Sequence, residues 1–165
     1  EKAARTGEGI QRLGDMMRFM LHENMQEKIP LTREVEYLRN YIALQTLRTE
    51  KTPSIKVEPA IDEEVYVGTI APMLLIPFVE NAFKHGTGII EDAQINIRLK
   101  AEKNILHFSV QNKYDPKSIE LKDKTSGIGL ANVKRRLNLL YGNKHNLLIT
   151  QKDNWFNVSL QLNLN

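Results

Sequence analysis

Four polar side chains in one short stretch of this sequence have the types and spacing to handle a metal ion and phosphate. The stretch Pro72-Met-Leu-Leu-Ile-Pro-Phe-Val-Glu-Asn-Ala-Phe-Lys-His-Gly86 reads as a single amphipathic helix. At about 100° per residue, Glu80, Asn81, Lys84 and His85, with Pro77, fall within an arc of roughly 140°. Leu75, Ile76, Phe78, Val79, Ala82 and Phe83 occupy the rest of the circumference. Asn81 offers a side-chain carbonyl to a hard cation such as Mg²⁺, which keeps several waters and needs little more than one such oxygen plus phosphates. Lys84 and His85 share that face and suit phosphate charge. The same two residues before Gly86 also fit ordinary C-terminal capping and dipole chemistry. Glu80 has no assigned role from spacing alone, and an i,i+4 pair with Lys84 is its plain account. Downstream, Ser126-Gly-Ile-Gly-Leu-Ala-Asn132 supplies two glycines, Gly127 and Gly129, ahead of a helix. Glycines there let backbone approach a ligand, and the helix start offers free N–H groups to phosphate. A simple loop-to-helix turn accounts for the glycines equally well when they are taken alone.

The elements around these segments follow from periodicity. Ile10, Leu13, Met16, Met17, Met20 and Leu21 predict a helix from about Gly9 to Asn24 with a methionine-rich stripe. Such a stripe packs either on its own domain or in an oligomer bundle. After a break at Gln26-Glu-Lys-Ile-Pro30, Thr32 is placed to cap a second helix reaching Arg48, with Glu34 in its positive first turn. Ile55–Val57 and Val65–Val67 read as short extended pieces. Gln94–Lys100 and Ile105–Val110 alternate with period two and form a hairpin through Glu102-Lys-Asn104. Residues 113–125 are polar and suit a lid. Leu130, Val133, Leu137 and Leu140 define one face of a helix ending at Tyr141-Gly142, and a hairpin around Asp153-Asn154 closes the chain. Together these predict an α+β layer, its sheet paired mostly by hairpins and its helices on one face.

Composition narrows the function classes. The 165 residues suffice for one cored domain with an appendage, and the net charge of +3 argues for no nucleic-acid partner. With no cysteine, thiolate catalysis, cysteine-ligated zinc and disulfides are excluded. No apolar run approaches the ~18 residues of a membrane span. The chain starts inside a helical pattern without an initiating methionine, so it is expected to be a piece of something longer.

Several of these segments resemble a known family. Glu80-Asn-Ala-Phe-Lys-His-Gly86 is similar to the N box of the Bergerat (GHKL) ATP-binding fold, and Gly127-Ile-Gly-Leu-Ala-Asn-Val-Lys-Arg-Arg-Leu137 to its second glycine box. The fuller patterns Pro72 to Gly86 and Gly129 to Gly142 resemble those of LytS-type sensor histidine kinases. So does Leu31-Thr-Arg-Glu-Val-Glu-Tyr-Leu-Arg-Asn-Tyr-Ile42, through a Leu-x-x-Glu-x-x-x-Leu-x-x-Tyr segment. The resemblance runs from about Ile29 to the C-terminus. It implies a two-layer Bergerat sandwich with a mixed, mainly antiparallel sheet, preceded by a dimerisation-type helix. It divides the chain into residues 1–27, the tail of a dimerisation element, and 28–165, the catalytic ATP-binding domain. It also implies ATP binding at Asn81, Lys84, His85, Asn112, Gly127, Gly129 and Leu130, with Asn81 on Mg²⁺. Asn112 stands where the family's first glycine box places an adenine-reading aspartate.

Three departures shape the expected activity. The first glycine box reads Asn112-Lys-Tyr-Asp-Pro116 and lacks its glycines, so ATP is expected to bind more weakly through a neutral acceptor. Pro77 stands where ATP-hydrolysing relatives carry a general-base Glu, which disfavours hydrolysis; Glu80 is the one catalytic candidate left. None of His22, His85, His107 and His145 has the Pro-His-Phe-x-Phe-Asn context of the family's phosphoacceptor, which is therefore expected upstream of Glu1. The reading is a kinase domain passing the ATP γ-phosphoryl group to that histidine and then to a response regulator. The whole protein is expected to be a homodimer anchored in the cytoplasmic membrane, with this part on the cytoplasmic side. A serine kinase of the anti-sigma type and a non-catalytic nucleotide-sensing or dimerisation module are the competing readings.

Overall fold

The computed structural model describes residues 2–49, 55–62, 67–87, 90, 92–116 and 128–164. Helix α1 (Lys2–His22) leads by way of β1 (Ile29–Pro30) into α2 (Leu31–Thr49). Then come β2 (Ile55–Ile61), β3 (Thr69–Ile70), α3 (Ile76–Gly86), β4 (Ala93–Glu102) and β5 (Ile105–Lys113). Helix α4 (Ile128–Tyr141), a 3-10 turn at Gly142–Lys144, and the strands β6 (His145–Lys152) and β7 (Trp155–Asn163) complete the chain.

The main sheet runs β2-β4-β5-β7-β6, with β2 parallel to β4 and every other pairing antiparallel. Both long hairpins turn on two successive left-handed residues, Lys103 (φ 48°) and Asn104 (φ 63°), then Asp153 (φ 52°) and Asn154 (φ 62°). Positive φ at both central positions matches the right-handed twist of the flanking strands, and Asn and Asp tolerate it. Pro59 lies in β2, an edge strand, where a missing N–H interrupts no central ladder.

Alternation along the strands buries one face. Ile95, Ile97 and Leu99 of β4, Leu106, Phe108 and Val110 of β5, and Val158, Leu160 and Leu162 of β7 form the core side. Helix α3 packs there against β4 and β5, with α2 and α4 beside it. The opposite face carries Arg98, Lys100, His107 and Gln161, so helices cover one side of an α+β sandwich. The expected fold class therefore stands, with β2 longer than predicted. A second ribbon pairs Ile29 with Ile70 and Pro30 with Thr69. The amide of Leu31 extends it, donating to Gly68 O at 3.0 Å. This ribbon was not foreseen, and it lays the start of α2 beside the segment leading into α3.

Helix α1 divides its apolar residues between two directions. Met16 and Phe19 join the core, and the Phe19 ring lies 4.6 Å from that of Tyr37. Ile10, Leu13, Met17, Met20 and Leu21 stay exposed, and they span an arc of about 100°. Along α4, Val133, Leu137 and Tyr141 are buried whereas Leu140 is exposed. The helix meets its neighbours one position on from the predicted face. The expected piece at 65–67 falls mostly outside the described residues, as does the lid from residue 117 onward.

Candidate functional site

Helix α3 starts at Ile76, four residues later than the expected Pro72, because the preceding backbone is held in another shape. Met73 takes a left-handed φ of 59°. The Glu34 carboxylate of α2 accepts from the amides of Met73 (2.9 Å), Leu74 (2.9 Å) and Leu75 (3.0 Å). From α4, Arg136 donates to Pro72 O at 2.8 Å and Met73 O at 3.2 Å, and the Tyr141 hydroxyl accepts from Ala71 N at 2.8 Å. Two helices therefore grip the five residues that aim α3. Burial pushes the Glu34 carboxyl above the ordinary carboxylate range, opposed by the three amides and by Arg136.

Once started, α3 presents the expected division of faces. Ile76, Phe78, Val79, Ala82, Phe83 and Gly86 are buried; Glu80 and Lys84 are exposed; Pro77, Asn81 and His85 are half-buried. Burial raises the Glu80 carboxyl. Its charge in turn bears on two phenols of α2, Tyr37 and Tyr41, the latter pushed up to about 12 mainly by burial. Glu80 thus faces α2, and the Phe83 ring meets that of Tyr41 edge-on at 6.1 Å.

Gly86 is tightly packed. A Cβ built there would lie 3.0 Å from the Asn112 Cβ and 3.1 Å from the Ile95 Cγ1, so both side chains would have to shift by a few tenths of an ångström. The end of α3 is thereby pressed against the end of β5. Gly86→Ala is expected to lower stability by about 1–3 kcal/mol through overpacking, read as a lower urea midpoint, although Ala is the better helix former elsewhere.

Beneath that contact lies Asn112, 1% exposed and flanked across the sheet by Ile95 and Phe156. Its Nδ2 donates to Lys113 O at 3.0 Å, while its Oδ1 is buried without a partner among the described residues. Flipping the amide would set oxygen against oxygen, so the free function is an acceptor. An orphaned acceptor among apolar neighbours suits a flat ligand that offers an N–H.

Gly129 lies in the first turn of α4, where a Cβ would meet nothing. No packing demand explains this glycine, in contrast to Gly86. Leu130 follows it, partly buried against the core, and Gly127 lies outside the described residues. The described residues hold no cluster of three or more acidic or imidazole side chains that could cage a metal. Asn81 presents one side-chain oxygen on the half-buried face of α3, a donor of the kind that fits Mg²⁺ carrying waters and phosphates. A groove of about 550 Å³ on the open sheet face is lined by residues such as Arg98, His107 and Gln161 and by none of the residues expected to hold nucleotide.

Residues 69–163 match the family model described as GHKL domain. The chain belongs to the GHKL domain family. Residues 1–52 additionally match the model described as histidine kinase. The sensor protein kinase HptS of Staphylococcus aureus is 35% identical over 101 residues, which is 61% of this chain and 19% of that protein. The chain thus spans about a fifth of the length of the curated relatives it matches.

Solved structures agree on the GHKL fold. The nucleotide-free catalytic domain of histidine kinase ThkA superposes with a TM-score of 0.59 at 20% identity, covering 83% of this chain and 94% of that one. The histidine kinase domain of a blue-light activated kinase from Erythrobacter litoralis gives 0.58 at 15% identity, covering 97% and 75%. ThkA in complex with the response regulator protein TrrA gives 0.57 at 17% identity, covering 94% and 48%.

Sequence reasoning missed Glu34, Arg136 and Tyr141 as parts of this site. The signal for Glu34 was present in helical phase, since it falls between Leu31 and Leu38 on the apolar side of α2. A carboxylate on a core stripe asks for buried donors.

Proposed function

We propose that this chain is the ATP-binding catalytic part of a LytS-type sensor histidine kinase. The observation that carries the reading is the buried, unpartnered Asn112 Oδ1 at the foot of the GHKL N-box helix. Adenine would sit against it and donate its amino group. Asn81 would give its oxygen to Mg²⁺ on the triphosphate, and Lys84 and His85 would approach the phosphates. Gly127, Gly129 and Leu130 would border the phosphate end, where α4 offers its first amides.

Bound Mg²⁺ would neutralise phosphate charge. The chain's own residues would position the nucleotide and exclude water, with Pro77 supplying no base for hydrolysis. The γ-phosphoryl group would pass to a histidine elsewhere in the whole protein and then to an aspartate of a response regulator. The histidine kinase match over residues 1–52 supports this over a serine kinase. No described helix is long and apolar enough to cross a membrane, and anchoring would fall to other parts of the protein.

Calorimetry tests the site. The chain is expected to bind Mg–ATP and to prefer it over Mg–GTP by about tenfold or more, because guanine offers an acceptor to an acceptor. Equal binding of both, or of neither at millimolar concentration, would sink the adenine assignment. Labelled ATP supplied with the upstream segment is expected to mark histidine; label on a serine would overturn the class.

The division at residues 27 and 28 belongs to the same reading, with α1 as the tail of the dimerisation element. Its exposed stripe from Ile10 to Leu21 is assigned to a second copy of the chain. Sedimentation at rising concentration is expected to show a monomer–dimer equilibrium that Leu13→Glu with Met17→Glu abolishes. A wild-type chain that stays monomeric throughout would refute that assignment.

A further inference from the structure

Two adjacent residues in the first turn of α2 reach in opposite directions. Arg33 turns to α1's end, where its Nε donates to Glu23 Oε1 at 2.7 Å and its Nη2 contacts the same oxygen. It also binds Glu36 one turn along α2 at 2.6 Å. Glu34 turns inward and holds the three amides ahead of α3. One turn later the arrangement repeats, with Tyr37 against Phe19 of α1 on one side and in the field of Glu80 of α3 on the other. The β1–β3 ribbon fixes this turn next to residues 71–75, so little slack separates the two grips.

We propose that the first turn of α2 ties the position of the nucleotide helix to that of α1, with Glu34 as the positioning residue. The inference rests on the nucleotide reading of α3 for its consequence, and on Arg33 and Glu34 for its geometry. A displacement of α1 relative to α2 pulls on Glu23 and Arg33. Glu34 moves with the same turn, and its three hydrogen bonds carry that shift to the start of α3. Asn81 lies on the second turn of that helix.

The test combines amide hydrogen exchange at Met73, Leu74 and Leu75 with Mg–ATP titration of the 165-residue chain. Arg33 is 42% exposed and touches none of the three amides, so Arg33→Ala leaves the core intact. It is expected to speed their exchange and to weaken Mg–ATP binding about threefold to tenfold. Glu34→Gln is expected to do both more strongly, and adding Arg33→Ala to it changes neither readout further. Arg39→Ala controls for general loosening of α2, because Arg39 bonds the carbonyls of Ile61 and Asp62 instead. It should leave the three amides at the wild-type rate.

Wild-type exchange in Arg33→Ala overturns the link. So does a double variant whose effects multiply, or an Arg39→Ala that matches Arg33→Ala. A wild-type chain that binds no Mg–ATP overturns the nucleotide reading instead. Exchange needs no nucleotide and decides the link in either case.

Discussion

Asn81→Ala is expected to raise the dissociation constant for Mg–ATP about 100-fold, the scale at which metal-site partners act, while leaving the fold intact. On the proposed reading the Asn81 side-chain oxygen would be the protein's share of a coordination otherwise made by phosphates and water. Alanine removes that oxygen without disturbing packing, since Asn81 lies on the half-buried polar side of the helix. Thermal unfolding should therefore shift by no more than the equivalent of about 0.5 kcal/mol. Calorimetry reads the first effect and circular dichroism the second. Unchanged affinity would remove Asn81 from the metal, and a large loss of stability would make it a packing residue.

Glu34→Ala is expected to act the other way, through the fold. It would leave three buried or half-buried amides without an acceptor and open space in the core between α2 and the segment before α3. Hydrogen bonds to a charged acceptor contribute about 1.5–3 kcal/mol each, and losing several together does not add fully. A destabilisation of about 3–5 kcal/mol is expected, a large part of the total stability of a domain this size. Urea unfolding followed by fluorescence of Trp155 measures it. A loss below about 1 kcal/mol would show that the three amides find water in the variant.

The two variants separate what was legible in the sequence from what was not. Asn81 could be singled out because an apolar stripe with one compact polar arc shows on a helical projection whatever the helix packs against, and the structure keeps that division of faces. The long hairpins were equally legible, because period-two alternation and the pairs Lys103-Asn104 and Asp153-Asn154 are local signals. Asn112 was found only by its resemblance to a family position. The structure adds that its Oδ1 is buried and finds no partner among the described residues.

Glu34 was read in terms of its own helix, where a first-turn carboxylate complements the dipole. Its actual donors are 39 to 41 residues away, and no local pattern reports a contact at that range. The start of α3 was misplaced for the same reason. Propensity allowed a helix from Pro72, but Glu34, Arg136 and Tyr141 together hold 71–75 in a different shape. Gly86 was read as a helix stop, and α3 does end there; the structure adds that it packs closely against Asn112 and Ile95.

By itself, then, the sequence determined the fold class and the polar face of α3. Those follow from periodicity and side-chain type, which are properties of neighbours along the chain. Only the tertiary structure decided where α3 begins, how closely its last glycine is packed, and which buried acceptor finds no partner among the described residues. It also decided that α2 grips both the end of α1 and the segment leading into α3 with adjacent residues. Those facts depend on which distant backbone groups are buried together, and burial is settled only when the layers pack.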